Sequence, residues 1–396
     1  MNNIKRYNIF ILLSTLSRNI PEVYSAVLLY KMDYSLKDIL LFFTVLYLLG
    51  ALTSVITIYI LNKIKSKYIL ILSSIIFSLS FYYMSIMSKT TKSLLIFSII
   101  YSIGSYTYHT LRHYYAIKAL EDNKKENIGN ILIFTNIAII LSSLIGGYIQ
   151  SKLSTFALAL FVVILSIVSF IPLFKFEASI GKEKIKYQKI EKNKLKFFIL
   201  EQAKVINLSL QPLYLYLFVN SKITYVGIYN VILGISSCIF IYFFTRKVND
   251  KKYFKYLNII FCLFLLLKLN IYNKYLILII GLFEGLGIKM FEIVSSENIY
   301  NIKKDTNIGG YLLLVELIFC ITRSIMCLIG YLINNIKIIL YLKQKKLLTT
   351  SNFFHFNHCK FELRRTVWNK SGFSLVCETE KHVPTPYSLH QNPDSS

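Results

Sequence analysis

Charge is scarce in this chain. Asp, Glu, Lys and Arg make up 16% of its 396 residues, where soluble domains carry about 25%. With a mean hydropathy of +0.53, an ordinary water-soluble fold is excluded. Acidic residues are the scarcest, 20 against 45 Lys and Arg, leaving a net charge of +25. Such an excess would suit a nucleic-acid binder, but the lysines fall in gaps between apolar runs rather than along one face, which argues against that partner. Cysteine is sparse too, and its six positions give no disulfide framework and no metal-ligand spacing. Cys238, Cys262, Cys320 and Cys327 fall inside apolar runs, where they are expected to pack as small hydrophobes. No Gly-x-x-x-x-Gly-Lys-Ser/Thr motif occurs, which argues against an ATP-driven pump. The first apolar run lacks a small-residue cleavage site, so it is expected to remain as a helix. No cofactor and no metal is implied.

What the chain has is length of apolar sequence. A membrane-spanning helix needs about 20 apolar residues, and eleven stretches approach that, at 7–29, 38–61, 68–88, 93–115, 128–150, 155–174, 196–219, 223–245, 254–270, 275–297 and 309–335. Lysine and arginine concentrate in every second gap: Lys5 and Arg6; Lys63, Lys65 and Lys67; Lys118, Lys124 and Lys125; Lys182 to Lys196; Arg246 to Lys255; Lys303 and Lys304. The positive-inside rule then places these gaps and the N-terminus in the cytoplasm of a multi-pass protein of the cell membrane.

The longest polar connection, 177–195, divides the spans into an N-terminal bundle of six (1–176) and a C-terminal bundle of five (196–340). The two sides echo each other. Lys124-Lys125-Glu126-Asn127-Ile128-Gly129 precedes the fifth span and Lys303-Lys304-Asp305-Thr306-Asn307-Ile308-Gly309 the eleventh, and those spans reach Gly147-Tyr148 and Gly330-Tyr331. Pro21 and Pro212 lie about two thirds of the way along spans one and seven. Paired helix interruptions of that kind point to the central site of a transporter.

Two helical halves joined by a long basic loop resemble the major facilitator superfamily of secondary transporters, over roughly residues 1–335. In that family the loop between spans two and three carries Gly-x-x-x-Asp-Arg/Lys-x-Gly-Arg-Arg/Lys. Here Lys63 and Lys67 match its basic positions, Asn62 stands where the aspartate would be, and the glycines are absent. The corresponding loop of the second half holds Arg246 and Lys247. The resemblance implies an all-α integral membrane fold of two pseudo-symmetric six-helix bundles, here lacking the twelfth helix, with gating at these loop residues. It also implies a cavity lined by spans one, four, seven and ten.

Charged groups inside spans cost roughly 2.5–3.5 kcal/mol each on insertion scales and mark candidate sites. Arg18 and Glu22 stand at i and i+4 on the first span, on one face, as a cavity-facing or permanently paired couple. His109, Arg112 and His113 share a face of the fourth span. Histidine can relay protons and arginine can hold a carboxylate or phosphate, although Arg112 and His113 also suit a headgroup-level anchor. The seventh span carries Glu201 and Lys204 beside Gln202, and the tenth carries Glu284, then Lys289 and Glu292. Glu284 has no partner nearby in sequence and is the preferred proton site. Glu316 and Arg323, two turns apart, are expected to pair with other helices.

Beyond residue 340 the chain changes character. No isoleucine follows Ile339, and Trp368, the one tryptophan, lies there. A disordered tail, 341–396, is expected in place of a twelfth span. His355, His358, Cys359 and Cys377 fit no standard zinc spacing. The resulting expectation is a monomeric secondary transporter, not an enzyme, that moves a small solute by alternating access with proton coupling. The alternatives are a flippase for lipid-linked sugars or polysaccharide, a polytopic transferase, or a degenerate relative that does not transport.

Overall fold

The computed structural model describes residues 3–61, 63–119, 124–174, 190–247, 263–264, 267–300, 307–337 and 339–340. Among them the chain is helical, with no strand: α1 (Asn3–Glu22), α2 (Ser25–Lys31), α3 (Leu36–Leu61), α4 (Ser66–Ile86), α5 (Thr91–Ala119), α6 (Lys124–Lys152), α7 (Thr155–Ser169), α8 (Ile171–Phe174), α9 (Lys192–Phe218), α10 (Ile223–Lys247), α11 (Lys274–Tyr300) and α12 (Ile308–Ile333). The expected tail, with its four His and Cys candidates, lies outside the described residues. So do Asn62, Cys262, most of the ninth expected span and most of the 177–195 linker.

Local chemistry sets several boundaries. Ser35 and Asp38 form a capping box at the start of α3, Ser35 N donating to Asp38 Oδ2 at 2.9 Å and Asp38 N to Ser35 Oγ at 3.2 Å. Asn307 caps α12 by accepting from Gly310 N at 2.7 Å. The same helix stops at Asn334, whose φ of 48° is the left-handed turn that commonly closes a helix.

The two span prolines differ in effect. After Pro21 the helix breaks between α1 and α2, with Tyr24 N bonded to Pro21 O at 3.2 Å, whereas Pro212 sits within an unbroken α9. A proline removes one backbone bond in either place. At the first, Tyr24 is drawn aside: its ring is fully buried and its hydroxyl donates to Ser143 O on α6 at 2.7 Å. The interruption expected in both halves therefore occurs in one.

Five helices are long and apolar enough to cross a membrane, among the described residues: α3, α4, residues 131–152 of α6, 223–241 of α10, and α12. The helices that carry Arg18, His109, Arg112, Glu201 and Glu284 are not in that set. Their charge, which lowers hydropathy, is carried inward. The apolar faces point outward instead: Leu48, Leu52, Val55 and Tyr59 form an exposed stripe at helical spacing on α3, and Leu72, Ile75, Leu79 and Tyr82 do so on α4. Contiguous exposed apolar stripes of this kind suit a lipid surface and no aqueous one.

Packing between helices before residue 175 and those after 189 runs chiefly through two crossings, α3 with α12 and α6 with α10. The two echoed glycines each sit at one of them. Gly330 faces Leu40, where a Cβ would stand 3.2 Å from Leu40 Cδ2, and Gly147 lies 3.7 Å from Gly227 Cα by the same measure. At Gly227 an added Cβ would meet Ser143 O and Tyr24 Oη, both at 2.8 Å. Gly227→Leu is therefore expected to lower stability by about 1–3 kcal/mol through overpacking. Thermal unfolding in detergent measures it, and an unchanged midpoint would contradict the close crossing.

Two apolar clusters bracket the middle of the bundle. One, at the end bearing the Tyr34 loop, joins Tyr24, Phe42 and Leu46 to Leu213, Val226 and Cys327. The other, at the end bearing Lys63, joins Tyr7, Phe10 and Tyr108 to Phe198, Tyr300 and Phe319. Both draw on helices from each side of the 177–195 linker.

Candidate functional site

Polar side chains from α5, α9, α11 and α12 meet beside the second of these clusters, to which Tyr300 and Phe319 belong. His113 on α5 is the bridge: its Nδ1 lies 2.9 Å from the Tyr300 hydroxyl on α11, and its Nε2 lies 3.8 Å from Glu316 Oε1 on α12. The second distance is long for a hydrogen bond. Glu316 is nonetheless buried, at 3% exposed, and its Oε1 has no hydrogen-bond partner. Two turns further along α12, Arg323 Nε donates to Gln202 Oε1 at 2.7 Å, and its guanidinium lies over the rings of Tyr47 and Phe319 at 5.6 and 5.8 Å. Tyr47 extends this contact, its hydroxyl 3.1 Å from Ser209 Oγ on α9. Glu201, one residue before Gln202, accepts from Gln202 Nε2 at 3.3 Å and from Ser295 Oγ on α11.

Arg112 stands one residue before His113. Its Nη2 donates to Thr135 Oγ1 on α6 at 3.3 Å, while its buried Nε has no partner. His109, one turn earlier, sits against the Tyr106 and Tyr108 rings at 6.1 and 5.6 Å. Both side chains reach neighbouring helices, Arg112 towards Thr135 on α6 and His113 towards Tyr300 on α11.

Arg18 and Glu22 do not form the expected ion pair. The Arg18 guanidinium is turned into the space between α4 and α5, donating from Nη1 and Nη2 to Gly104 O at 3.3 Å and from Nη2 to Ser74 Oγ at 3.4 Å. It also lies over Tyr108 and Phe77 at 3.8 and 4.3 Å. Two ring faces and a carbonyl outcompete the carboxylate on the same helix, and Glu22 instead accepts from Ser105 Oγ at 3.3 Å.

Glu284 has a partner that lies 16 residues away in sequence. Lys268 Nζ is 2.8 Å from its Oε2 and 2.8 Å from the Tyr229 hydroxyl, which itself donates to Glu284. The Gln211 amide lies against the same group and, turned over, donates to Glu284 Oε1 at 3.0 Å while accepting from Lys268 Nζ at 3.1 Å. Lys268 and Glu284 are both below 5% exposed. A carboxylate with no partner close to it in sequence thus has one in the fold. Lys268 went unnoticed because it lies near the end of its apolar run, where a lysine is ordinarily a boundary residue.

Several of the remaining candidates make local contacts. Lys63 and Lys67, at the α3–α4 connection, lie over the nearby rings of Tyr59 and Tyr68 at 4.9 and 5.3 Å. Lys289 pairs with Glu292 one turn on. Lys204 is on α9 and Arg246 and Lys247 end α10, but their side chains lie outside what is described. Cys320 and Cys327 are buried, as expected of small hydrophobes. Glu316 and Arg323, expected to pair with other helices, meet α5 and α9 at the centre. Their i, i+7 spacing on one face was the available signal.

A bundle whose helices hide ionised groups and turn apolar stripes outward has the organisation of a membrane transporter, and known proteins agree. The model of the Major Facilitator Superfamily matches residues 7–298. A comparison with curated proteins finds no match. Among solved structures, a mutant of the nucleoside transporter NupG superposes with a TM-score of 0.63 at 11% identity, covering 89% of this chain and 99% of that one. Unmutated NupG gives 0.62 at 13% identity, covering 91% and 100%. At such identity the likeness is one of fold alone. With the family model spanning most of its length, this chain belongs to the Major Facilitator Superfamily of membrane transporters.

Proposed function

We propose that this transporter is a secondary active one, moving a small solute across the cytoplasmic membrane by alternating access between an N-terminal half (1–176) and a C-terminal half (196–340). The basic gaps and the 177–195 linker face the cytoplasm in this reading, eleven spans cross the bilayer, and the protein works as a monomer. The observation that carries it is the His113 bridge. A single titratable side chain of one half reaches a tyrosine and a buried carboxylate of the other, at 2.9 and 3.8 Å. Rocking the halves apart separates those groups, so their protonation and their separation are linked, as coupling requires. Lys268 and Glu284, by contrast, sit together inside the C-terminal half and need not part when the halves move.

Uptake into proteoliposomes of a broad solute panel, with and without an imposed proton gradient, tests the reading. The gradient is expected to accelerate uptake at least tenfold in the parent chain and to have no effect in His113→Gln. Uptake indifferent to the gradient in the parent would remove proton coupling, and absence of any uptake would remove the transporter reading.

A further inference from the structure

Tyr24 sits in the break between α1 and α2, at the place where the two halves touch. Its backbone turns there with φ −102° and ψ −1°, and its side chain is fully buried. Three glycines floor that side chain. An added Cβ would stand 2.8 Å from the ring at Gly146, and 3.0 and 2.8 Å from the hydroxyl at Gly147 and Gly227. Only a residue without a Cβ admits so close an approach. Gly146 and Gly147 lie on α6, in the N-terminal half, and Gly227 on α10, in the C-terminal half. The hydroxyl also donates to Ser143 O at 2.7 Å, and that oxygen stands 2.8 Å from the Cβ position of Gly227. Tyr24 Oη and Ser143 O thus form one surface of the N-terminal half, on which the α10 backbone rests. Gly227 has no side chain to bond to it, so the contact is one of packing. Packing is strong at contact and is lost within about 1 Å of separation. At the α3–α12 crossing, by contrast, a hydrogen bond joins the halves, from Ser324 Oγ to Thr44 O at 3.1 Å.

Resting on the alternating-access reading above, we propose that Tyr24 is the positioning residue of the outer gate. Seated among Gly146, Gly147 and Gly227, it holds α6 and α10 together at the end bearing the Tyr34 loop, and its departure from that seat favours the outward-open form. The helix break supplies the turn that delivers the side chain to the seat. In the C-terminal half α9 runs unbroken past Pro212, so the device belongs to one half alone. Two substitutions converge on the same hydroxyl. Tyr24→Phe keeps the ring and removes the bond to Ser143 O. Gly147→Ala keeps the hydroxyl but displaces it, since Tyr24 Oη is the nearest neighbour of the added methyl at 3.0 Å and the next atoms stand at 3.7 and 3.8 Å. In a Tyr24→Phe background the methyl has nothing to displace, so the two effects should not add.

The test labels one added cysteine at a time in the full chain with a membrane-impermeant maleimide, located by mass spectrometry, beside uptake of a broad solute panel. Ser324→Cys reports the outer end in right-side-out vesicles, because Ser324 is 8% exposed and faces Thr44 across the halves. Gly309→Cys reports the inner end in inverted vesicles, because an added Cβ there lies 3.7 Å from Ile58. Tyr24→Phe is expected to speed labelling at the outer reporter about twofold to tenfold, the range that one neutral hydrogen bond supplies, without speeding it at the inner one. Gly147→Ala should do the same, and the double variant should exceed neither. Either single variant decides the matter where the other yields no folded protein. Unchanged outer labelling, equal acceleration at both reporters, or full additivity in the double variant would overturn the inference, and uptake by the parent would then leave the transporter reading standing. The expected labelling without uptake of any solute would uphold the gate and overturn the transporter reading. Absence of both would overturn both.

Discussion

Glu284→Leu is expected to destabilise the protein by about 3–5 kcal/mol, because it strands the Lys268 ammonium in a site from which water is excluded. Lys268→Met should cost a similar amount by stranding the carboxylate. The double variant is expected to recover most of that loss, since the methionine and leucine side chains fill comparable volume and leave no charge behind. Tyr229 and Gln211 limit the recovery, as their polar atoms then lose the partners they have at Lys268 and Glu284. Thermal or denaturant unfolding in detergent gives the four corners of the cycle. Transport decides what the pair is for. If it is structural, as its confinement to α11 and the segment just before it implies, the double variant keeps solute uptake and its response to a proton gradient. A folded double variant that no longer responds to the gradient would return the coupling proton to Glu284.

Arg18→Lys is expected to be nearly as damaging, with a loss of about 2–4 kcal/mol. The guanidinium at this position is flat between two rings and shares hydrogen bonds with Gly104 O and Ser74 Oγ. Desolvated cation–π contacts contribute about 2 kcal/mol, and hydrogen bonds from a charged donor about 1.5–3 kcal/mol. A lysine keeps the charge but is a point donor on a flexible stem, unable to lie between the rings and reach the carbonyl with two groups. Arg18→Met should fare no better, because it leaves Gly104 O without its donors. Retention of the parent midpoint in Arg18→Lys would mean that charge alone matters there. Since Arg18 is 3% exposed and turned into the N-terminal helices, its loss should lower the amount of folded protein more than the solute affinity of what remains.

The contrast between Arg18 and His113 illustrates how far sequence reading reaches. Both are charged or titratable groups within spans, and the cost of placing them in an apolar environment flagged both. Nothing in the spacing of Arg18 and Glu22 distinguishes an internal ion pair from an arginine that prefers two rings on other helices. Spacing along one helix reports a shared face, while the choice of partner depends on what that face meets. Lys268 shows the converse failure. Hydropathy treats a lysine near the end of an apolar run as its boundary, so the counter-ion of Glu284 was hidden by position.

Much about this protein was determined by the sequence alone. Long apolar runs with basic gaps imposed helices with greasy outer faces, because backbone groups in lipid have to be satisfied within the segment. The echo between residues 124–148 and 303–331 marked Gly147 and Gly330, and these proved to lie at the two crossings between the helices before and after the linker. Only the tertiary structure decided which charged groups face one another. Helical periodicity fixes the direction of a side chain around its own axis, but the rotation and depth of one helix against the next come from packing between separate segments of the chain. That packing brings His113 to Glu316, turns Arg18 away from Glu22 and gives Glu284 its lysine.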